Sequence, residues 1–355
     1  MLDLDQLVGS LPPRPGLEEL LGSFVPSARF SDKLFGNYAP LHPSQTSAAQ
    51  RLEGLAQELR DLAAPSGLFG RLGLRRRRPG SGYGVYLDGG FGVGKTHLLA
   101  ALWHEAPYPK AYLTFDELVY FIGLAGVDEA RRAFSTQRLA AVDEWELDDP
   151  GNLKLALAFL RGAIADGVRV VVTSNTLPLE LGAGRFSQKD FLAEVEELAS
   201  VFEVVRIEGE DYRHRRFDAS PGTDYFLSAE RLEELAAGAG PRALLADFGE
   251  LLAALGRVHP IRFKGMVDRI EALFVRDVRA IPRLSDALRW VHFVDTLYDS
   301  AVPFVASGST PLGSLFSPDA LAGPYGKKLS RCLSRMEEML RESSVAPAAV
   351  GEAGG

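Results

Sequence analysis

The sequence predicts an α/β fold, a parallel sheet with helices on both faces, followed by a smaller region of mixed helix and strand. Three observations carry this. Short apolar or β-branched runs alternate with helical stripes from residue 83 to residue 207, the pattern of successive βαβ units. One of these units, residues 83–103, joins strand to helix through a glycine-rich turn. Another run, Leu139-Ala140-Ala141-Val142, ends in two acids, Asp143 and Glu144.

In chain order, residues 1–28 read as an extended arm with one helical piece, and residues 29–45 as a turn-rich stretch. Leu52, Leu55, Leu59 and Leu62 then mark a helix over 47–63. A helix just before the first strand lies beside the adenine in many nucleotide-binding ATPases, and an ordinary packing helix has the same stripe. Residues 65–82, rich in Gly and Pro, form a connecting loop that carries Arg75, Arg76, Arg77 and Arg78. Four arginines suit an anionic lipid surface, a nucleic acid or an acidic partner, although a solvated loop is the plainer reading. Strands are expected over 110–115, 139–143, 169–173 and 201–207, with a helix from Asp116 as N-cap and others over 153–165 and 189–200. Placing the acid-bearing strand two strands after the first gives a sheet order of 5-1-4-3-2. Beyond residue 208 helices are expected over 228–237, 244–255, 284–300 and 327–341, with strands over 276–281 and 302–306. The division that follows is 1–64 arm and helix, 65–216 core, 217–342 lid or partner region, and 343–355 disordered tail.

The chemistry sits at the strand ends. Residues 89–96 fit G-x-x-x-x-G-K-[ST], a phosphate-binding loop made of Gly89, Gly90, Phe91, Gly92, Val93, Gly94, Lys95 and Thr96, with His97 following. Glycines let backbone N–H groups approach phosphate oxygens, and the helix N-terminus adds partial positive charge. Lys95 is expected on the β- and γ-phosphates of ATP, with the Thr96 hydroxyl on Mg²⁺. Asp143 is the second expected Mg²⁺ ligand and Glu144 the base that activates water. Asn175, at the tip of the strand over 169–173, is placed to sense the γ-phosphate or orient that water, and Arg185 stands at a loop-to-helix junction.

Composition narrows the classes. A net charge of −8 over 355 residues argues against a surface devoted to nucleic acid. Cys332 is the only cysteine, which excludes an internal disulfide or a cysteine-based metal cluster and suits a reducing cytoplasm. His97 and His104 share a helix face, and no carboxylate or third histidine is placed to complete a metal site with them. Residues 1–6 carry two aspartates and no basic region, unlike a signal or transit peptide, and no apolar run approaches the ~20 residues that span a bilayer.

With both nucleotide motifs in place, the chain resembles the ZapE/AFG-type AAA+ ATPases. The resemblance rests on Phe35-x-Asn37-Tyr38 with Pro43-Ser44-Gln45, on the loop and helix at 89–103, on the acidic strand end at 143–150 with Trp145 where Phe is usual, and on 173–178. Gly184-Arg185-Phe186, the GEDYRHR segment at 209–215, Val294-Asp295-x-Leu297-Tyr298-Asp299 and Leu333-Ser334-Arg335-Met336-x-Glu338-Met339 follow in family order. It implies a homo-oligomer with ATP between subunits, Arg185 reaching the neighbour's γ-phosphate, and ATP-driven remodelling of a protein client, the tubulin-like division protein FtsZ, in the cytoplasm or at the membrane of the division site. Residues 217–285 match the family pattern poorly, and Leu288-Arg289-Trp290 stands where a paired Arg-Arg-Phe is expected, so Arg289, Arg331 and Arg335 are all candidates for a second sensor. The helicase loaders, which act on nucleic-acid complexes, share the Gly-Lys-Thr-His-Leu run; the acidic charge and the GEDYRHR segment favour the first family.

Overall fold

A computed structural model describes residues 1–11, 16–63, 82–90, 92–145, 150–175, 200–209, 226–308, 310–323 and 325–345. Phe91, the arginines at 75–78, Arg185, residues 189–199 of an expected helix, the charged cluster at 210–216 and residues 346–355 lie outside the described residues. The chain divides into two compact units, one of Arg14–Pro26 with Phe30–Ala219, the other of Met1–Pro13, Ser27–Arg29 and Ser220–Gly355.

The first unit holds the strands β1 (Gly84–Gly89), β2 (Lys110–Thr114), β3 (Leu139–Asp143), β4 (Arg169–Ser174) and β5 (Phe202–Ile207). They form one parallel sheet in the order β2-β3-β4-β1-β5, the expected 5-1-4-3-2 seen from the other edge. Strand side chains alternate between two apolar layers, as a pleat requires. Tyr86, Leu113, Val142 and Val172 face a layer built with helices α1 (Leu17–Ser23), α4 (Phe115–Ala125), α5 (Val127–Phe134) and α6 (Pro150–Ala165). Val85, Leu87, Tyr112, Ala141 and Val171 face the other layer, built with α2 (Pro43–Ala63) and α3 (Lys95–Glu105). The first layer is closed by an aromatic chain, Phe24 on Phe121, Phe121 on Phe134 and Phe134 on Phe159, with centroids 5.2–5.6 Å apart and edge-to-face.

One local detail differs from the sequence reading and a second lies beyond it. The N-cap of α4 is Thr114, not Asp116: its hydroxyl accepts from the Glu117 amide at 3.3 Å while the Glu117 carboxylate accepts from the Thr114 amide at 2.7 Å. That is a reciprocal capping box, written in the sequence as Thr-x-x-Glu. The C-terminal end of α3 is closed by Lys110, whose ammonium donates to the Ala106 carbonyl at 2.7 Å and also to those of Trp103 and His104.

The second unit is built on a three-stranded parallel sheet, β6 (Ala243–Asp247), β7 (Ala272–Val278) and β8 (Phe304–Gly308), in that order. Its helices are α7 (Ala229–Ala237), α8 (Phe248–Gly256), α9 (Leu284–Asp299) and α10 (Gly326–Val345), with shorter pieces between. The helix expected over 244–255 is a strand and a helix in succession. Leu244 and Ala243 enter opposite apolar layers, and Asp247 ends the strand by accepting from the Gly249 and Glu250 amides at 2.7 and 3.2 Å. A short apolar run buried on both faces has no period that separates strand from helix. For the same reason β7 starts four residues before the expected 276, on the buried run Leu273-Phe274-Val275. Helix α10 continues to Val345, into the stretch read as a tail.

In this unit the two late signature segments meet. Asp295 on α9 is largely enclosed, its side chain 17% exposed; it accepts from Arg331 at 3.0 Å, and Arg335 lies against its other oxygen at 2.5 Å. Burial alone would raise the Asp295 carboxyl, but the Arg335 and Arg331 guanidiniums hold it below the usual carboxylate value. One turn on, the Tyr298 hydroxyl donates to Glu338 at 2.8 Å, and Arg29 stacks on the Tyr298 ring at 3.7 Å while pairing with Glu338. Two of the three second-sensor candidates, Arg331 and Arg335, are thereby engaged by Asp295.

Candidate active site

In the first unit, β1 lies beside β4 and β4 beside β3, so the C-terminal ends of these three strands are neighbours along one sheet edge. Such edges are where ligands bind in open parallel sheets. Gly89 ends β1; Gly90, Gly92, Val93 and Gly94 make the turn; Lys95, Thr96 and His97 open α3. Gly94, the N-cap, has φ +94°, and a Cβ there would lie 2.6 Å from the Tyr38 ring, so both the turn and its neighbour require glycine.

Lys95 is buried and its ammonium donates to the Gly89 carbonyl at 2.7 Å, the Gly90 carbonyl at 2.6 Å and Asn175 Oδ1 at 2.9 Å. The lysine of the turn and the asparagine after β4 are thus directly joined. The Thr96 hydroxyl donates to Asp143 Oδ1 at 3.2 Å, which brings the two expected Mg²⁺ ligands together. Asp143 also accepts from the Thr173 hydroxyl on the same oxygen and from the Tyr112 hydroxyl on Oδ2 at 2.8 Å. Burial, and next the adjacent Glu144 charge, push the Asp143 carboxyl above its ordinary value, against the pull of the Thr173 and Tyr112 hydroxyls.

Glu144 is one of the described non-glycine residues with positive φ, +54°. Its amide donates to the Thr173 hydroxyl at 3.1 Å, the Trp145 amide to the Thr173 carbonyl at 2.7 Å, and the Ser174 hydroxyl to the Trp145 carbonyl at 2.9 Å. Trp145 is fully buried against Phe115, centroid to centroid 4.6 Å. This packing explains how the backbone of Glu144 is held in a conformation that costs an L-residue roughly 1–2 kcal/mol.

A buried carboxylate with a like-charged neighbour favours a cation beside it, and a hydroxyl plus a carboxylate is a hard-oxygen donor set. Both fit Mg²⁺, which keeps most of its ligands as water and phosphate oxygens. Among the described residues no group of three or more His, Cys, Asp and Glu is placed to hold a metal, so the alternative of an all-protein cage does not arise there.

Of the expected residues, Lys95, Thr96, Asp143, Glu144 and Asn175 converge; Phe91 and Arg185 lie outside the described residues. His97 turns to the Leu34 carbonyl at 2.9 Å and His104 to the Phe30 carbonyl at 2.9 Å, and burial holds the His97 imidazole below its ordinary value. Four residues that the sequence reading gave no role stand around the site. Tyr112 and Thr173 hold Asp143, and Tyr38 and Gln45 touch the turn at Val93. The strand alternation that points Tyr112 and Leu87 to one layer was the available signal for Tyr112.

The sequence matches the AFG1-like ATPase family over residues 24–239 and 236–347. The chain is 27% identical over 345 residues to the cell division protein ZapE of Escherichia coli K12, covering 84% of this chain and 91% of that protein. Among solved structures it is similar to DnaI (16% identity, TM-score 0.39, 54% of this chain and 98% of that one) and to AMPPCP-bound DnaA from Aquifex aeolicus (14% identity, TM-score 0.35, 85% and 79%). With the family match running across both units, this chain belongs to the AFG1-like ATPases.

Proposed function

We propose that the chain hydrolyses ATP at the edge formed by β1, β3 and β4 and uses the turnover to remodel a protein client. The observation that supports this reading best is the convergence of Lys95 with Asn175 and of Thr96 with Asp143 at adjacent strand ends. The turn at 89–94 presents backbone N–H groups to the phosphates, and Lys95 exchanges carbonyl oxygens for β- and γ-phosphate oxygens. Thr96 and Asp143 hold Mg²⁺, which offsets phosphate charge when bound. Glu144 takes the proton of the attacking water, and Asn175 orients that water or reads the γ-phosphate. Arg185 of a neighbouring copy supplies positive charge to the transition state, which makes the active form a homo-oligomer.

FtsZ is the proposed client, on the resemblance described above and on the similarity to a cell division protein. No helix among the described residues is long and apolar enough to cross a membrane, so a role at the membrane of the division site is proposed as a peripheral one, with Arg75, Arg76, Arg77 and Arg78 as the anionic-lipid contact. The test is ATP turnover with and without FtsZ polymers, with polymer light scattering followed alongside and Glu144→Gln as control. Stimulation by FtsZ, with polymers altered only by the active enzyme, is the expected result. Turnover indifferent to FtsZ refutes the client and leaves the ATPase.

A further inference from the structure

The N-terminal segment before the sheet bonds to the phosphate turn at the Val93 carbonyl oxygen. It accepts from the Tyr38 hydroxyl at 3.2 Å and from Gln45 Nε2 at 3.4 Å. Gln45 is fully buried at the start of α2, and its orientation is set from behind: Oε1 accepts from the Leu41 amide at 2.6 Å and the His42 amide at 3.0 Å, so only Nε2 faces the turn. Gly209 makes room for that amide, since a Cβ there would lie 2.6 Å from Nε2. Tyr38 is fixed too, its ring edge-on to His97 at 5.1 Å, and His97 is held by the Leu34 carbonyl.

A peptide unit is rigid and, in the trans form, its C=O and N–H point to opposite sides. Fixing the Val93 carbonyl toward Tyr38 and Gln45 therefore fixes the Gly94 N–H in the opposite direction. Gly94 is the N-cap of α3, and an N–H at that end of a helix has no carbonyl acceptor within the helix. We infer that Tyr38 and Gln45 are positioning residues of the nucleotide site: by clamping the Val93 carbonyl they aim the Gly94 N–H at a bound phosphate. The inference rests on the nucleotide reading proposed above and adds a role that neither residue's own chemistry supplies. Both touch the turn at Val93, and the role asks for no contact of either with the phosphate.

The test is binding of N-methylanthraniloyl-ADP to the full chain, followed by fluorescence anisotropy well below the melting temperature, beside the thermal midpoint of the nucleotide-free protein. The variants are Tyr38→Phe, which removes one hydroxyl, Gln45→Met, and both together, with Lys95→Ala as the reference for a lost site. One neutral hydrogen bond corresponds to about a three- to tenfold change in affinity, so each single variant should bind the probe that much more weakly and the double variant more weakly than either. Should Gln45→Met not fold, Tyr38→Phe carries the test alone. A Tyr38→Phe protein that binds within about twofold of wild type overturns the clamp, whether or not its midpoint falls, because a merely structural contact moves the midpoint and leaves the affinity of the folded protein alone. A wild-type protein that binds the probe no better than Lys95→Ala overturns the nucleotide reading itself, a different outcome from loss of the clamp.

Discussion

The ammonium of Lys95 donates to Asn175 Oδ1 at 2.9 Å, so the residue that opens α3 and the residue that follows β4 form one polar unit. The two have separable roles. On the proposed function, Lys95 carries charge that binds phosphate in the ground state, whereas Asn175 contributes a neutral dipole whose value rises as charge develops. Lys95→Ala should therefore abolish measurable nucleotide binding. Asn175→Ala should bind ATP within a few-fold of wild type and lose on the order of 10²-fold in turnover, the usual cost of removing one oriented transition-state contact. Nucleotide titration and steady-state kinetics on the two variants check this; equal loss of binding in both would show that Asn175 serves only to hold the lysine.

The Asp295 cluster of the second unit makes a stability prediction. Removing the acid leaves Arg331 and Arg335 without the carboxylate they both face, and breaking a buried ion pair on one side costs about 3–5 kcal/mol. Asp295→Ala should lower the denaturant midpoint by that measure, and Tyr298→Phe, which loses one hydroxyl contact to Glu338, by about 1 kcal/mol. The sign with pH follows from the depressed carboxyl. Its contribution is present above the unfolded-state value of 3.8 and is lost as pH falls through the lower folded value. Wild type and Asp295→Ala should converge in stability only under that strongly acid condition.

Lys110 gives a dependence of the same sign in the alkaline range, from burial rather than from a partner. Burial lowers its ammonium from 10.5 to about 8. Between those values the unfolded chain holds a proton that the folded chain has released, so this residue's contribution to stability increases as pH rises from about 8 to 10.5. Thermal midpoints of wild type and Lys110→Met, measured in parallel across that interval, should separate in favour of the wild type. Parallel curves would mean that the three carbonyls at the end of α3 hold the charge in place after all.

These features differ in how visible they were in the sequence. The sheet order, the turn at 89–96 and the acids at 143 and 144 were legible because their chemistry is local: a period of two, a fixed glycine spacing, an apolar run with a polar end. The cap at Thr114 was legible too, in the Thr-x-x-Glu pattern, but the more acidic Asp116 two residues on drew the assignment. What the sequence hid is long-range. Tyr112 meets Asp143 only because β2 and β3 pair in register, Leu113 with Val142, and Gln45 meets Val93 across 48 positions. In the second unit the run at 243–247 is buried on both sides of its sheet, where strand and helix look alike in composition. The engagement of Arg331 and Arg335 by one aspartate likewise depends on two helices meeting.

Arg185, if it serves a neighbouring copy, makes activity depend on assembly. Specific activity should rise with protein concentration and level off once the oligomer is full. Arg185→Ala and Lys95→Ala, each inactive alone, should regain partial turnover when mixed, because a mixed interface pairs an intact Lys95 with an intact Arg185. Purely additive loss without recovery would place Arg185 outside the shared site.

Glu144 allows stability and catalysis to be separated at one position. Its backbone stands at φ +54°, a region that glycine enters freely and a residue with a Cβ does not. The surrounding contacts, the Thr173 hydroxyl on the Glu144 amide and the buried Trp145 beyond it, hold that conformation whatever side chain is present. Glu144→Gln keeps the shape and removes the proposed base, so it should bind ATP and lose roughly 10²–10⁴-fold in turnover. Glu144→Gly removes the same base and also relieves the backbone. Relief of about 1–2 kcal/mol is offset by the greater entropy of unfolded glycine, about 0.5–1 kcal/mol, so this variant should be as stable as wild type or up to about 1.5 kcal/mol more stable while equally inactive. Denaturant midpoints beside turnover rates test the pair. A Glu144→Gly protein less stable than Glu144→Gln would mean that the carboxylate position, rather than the backbone contacts of Thr173 and Trp145, holds the turn.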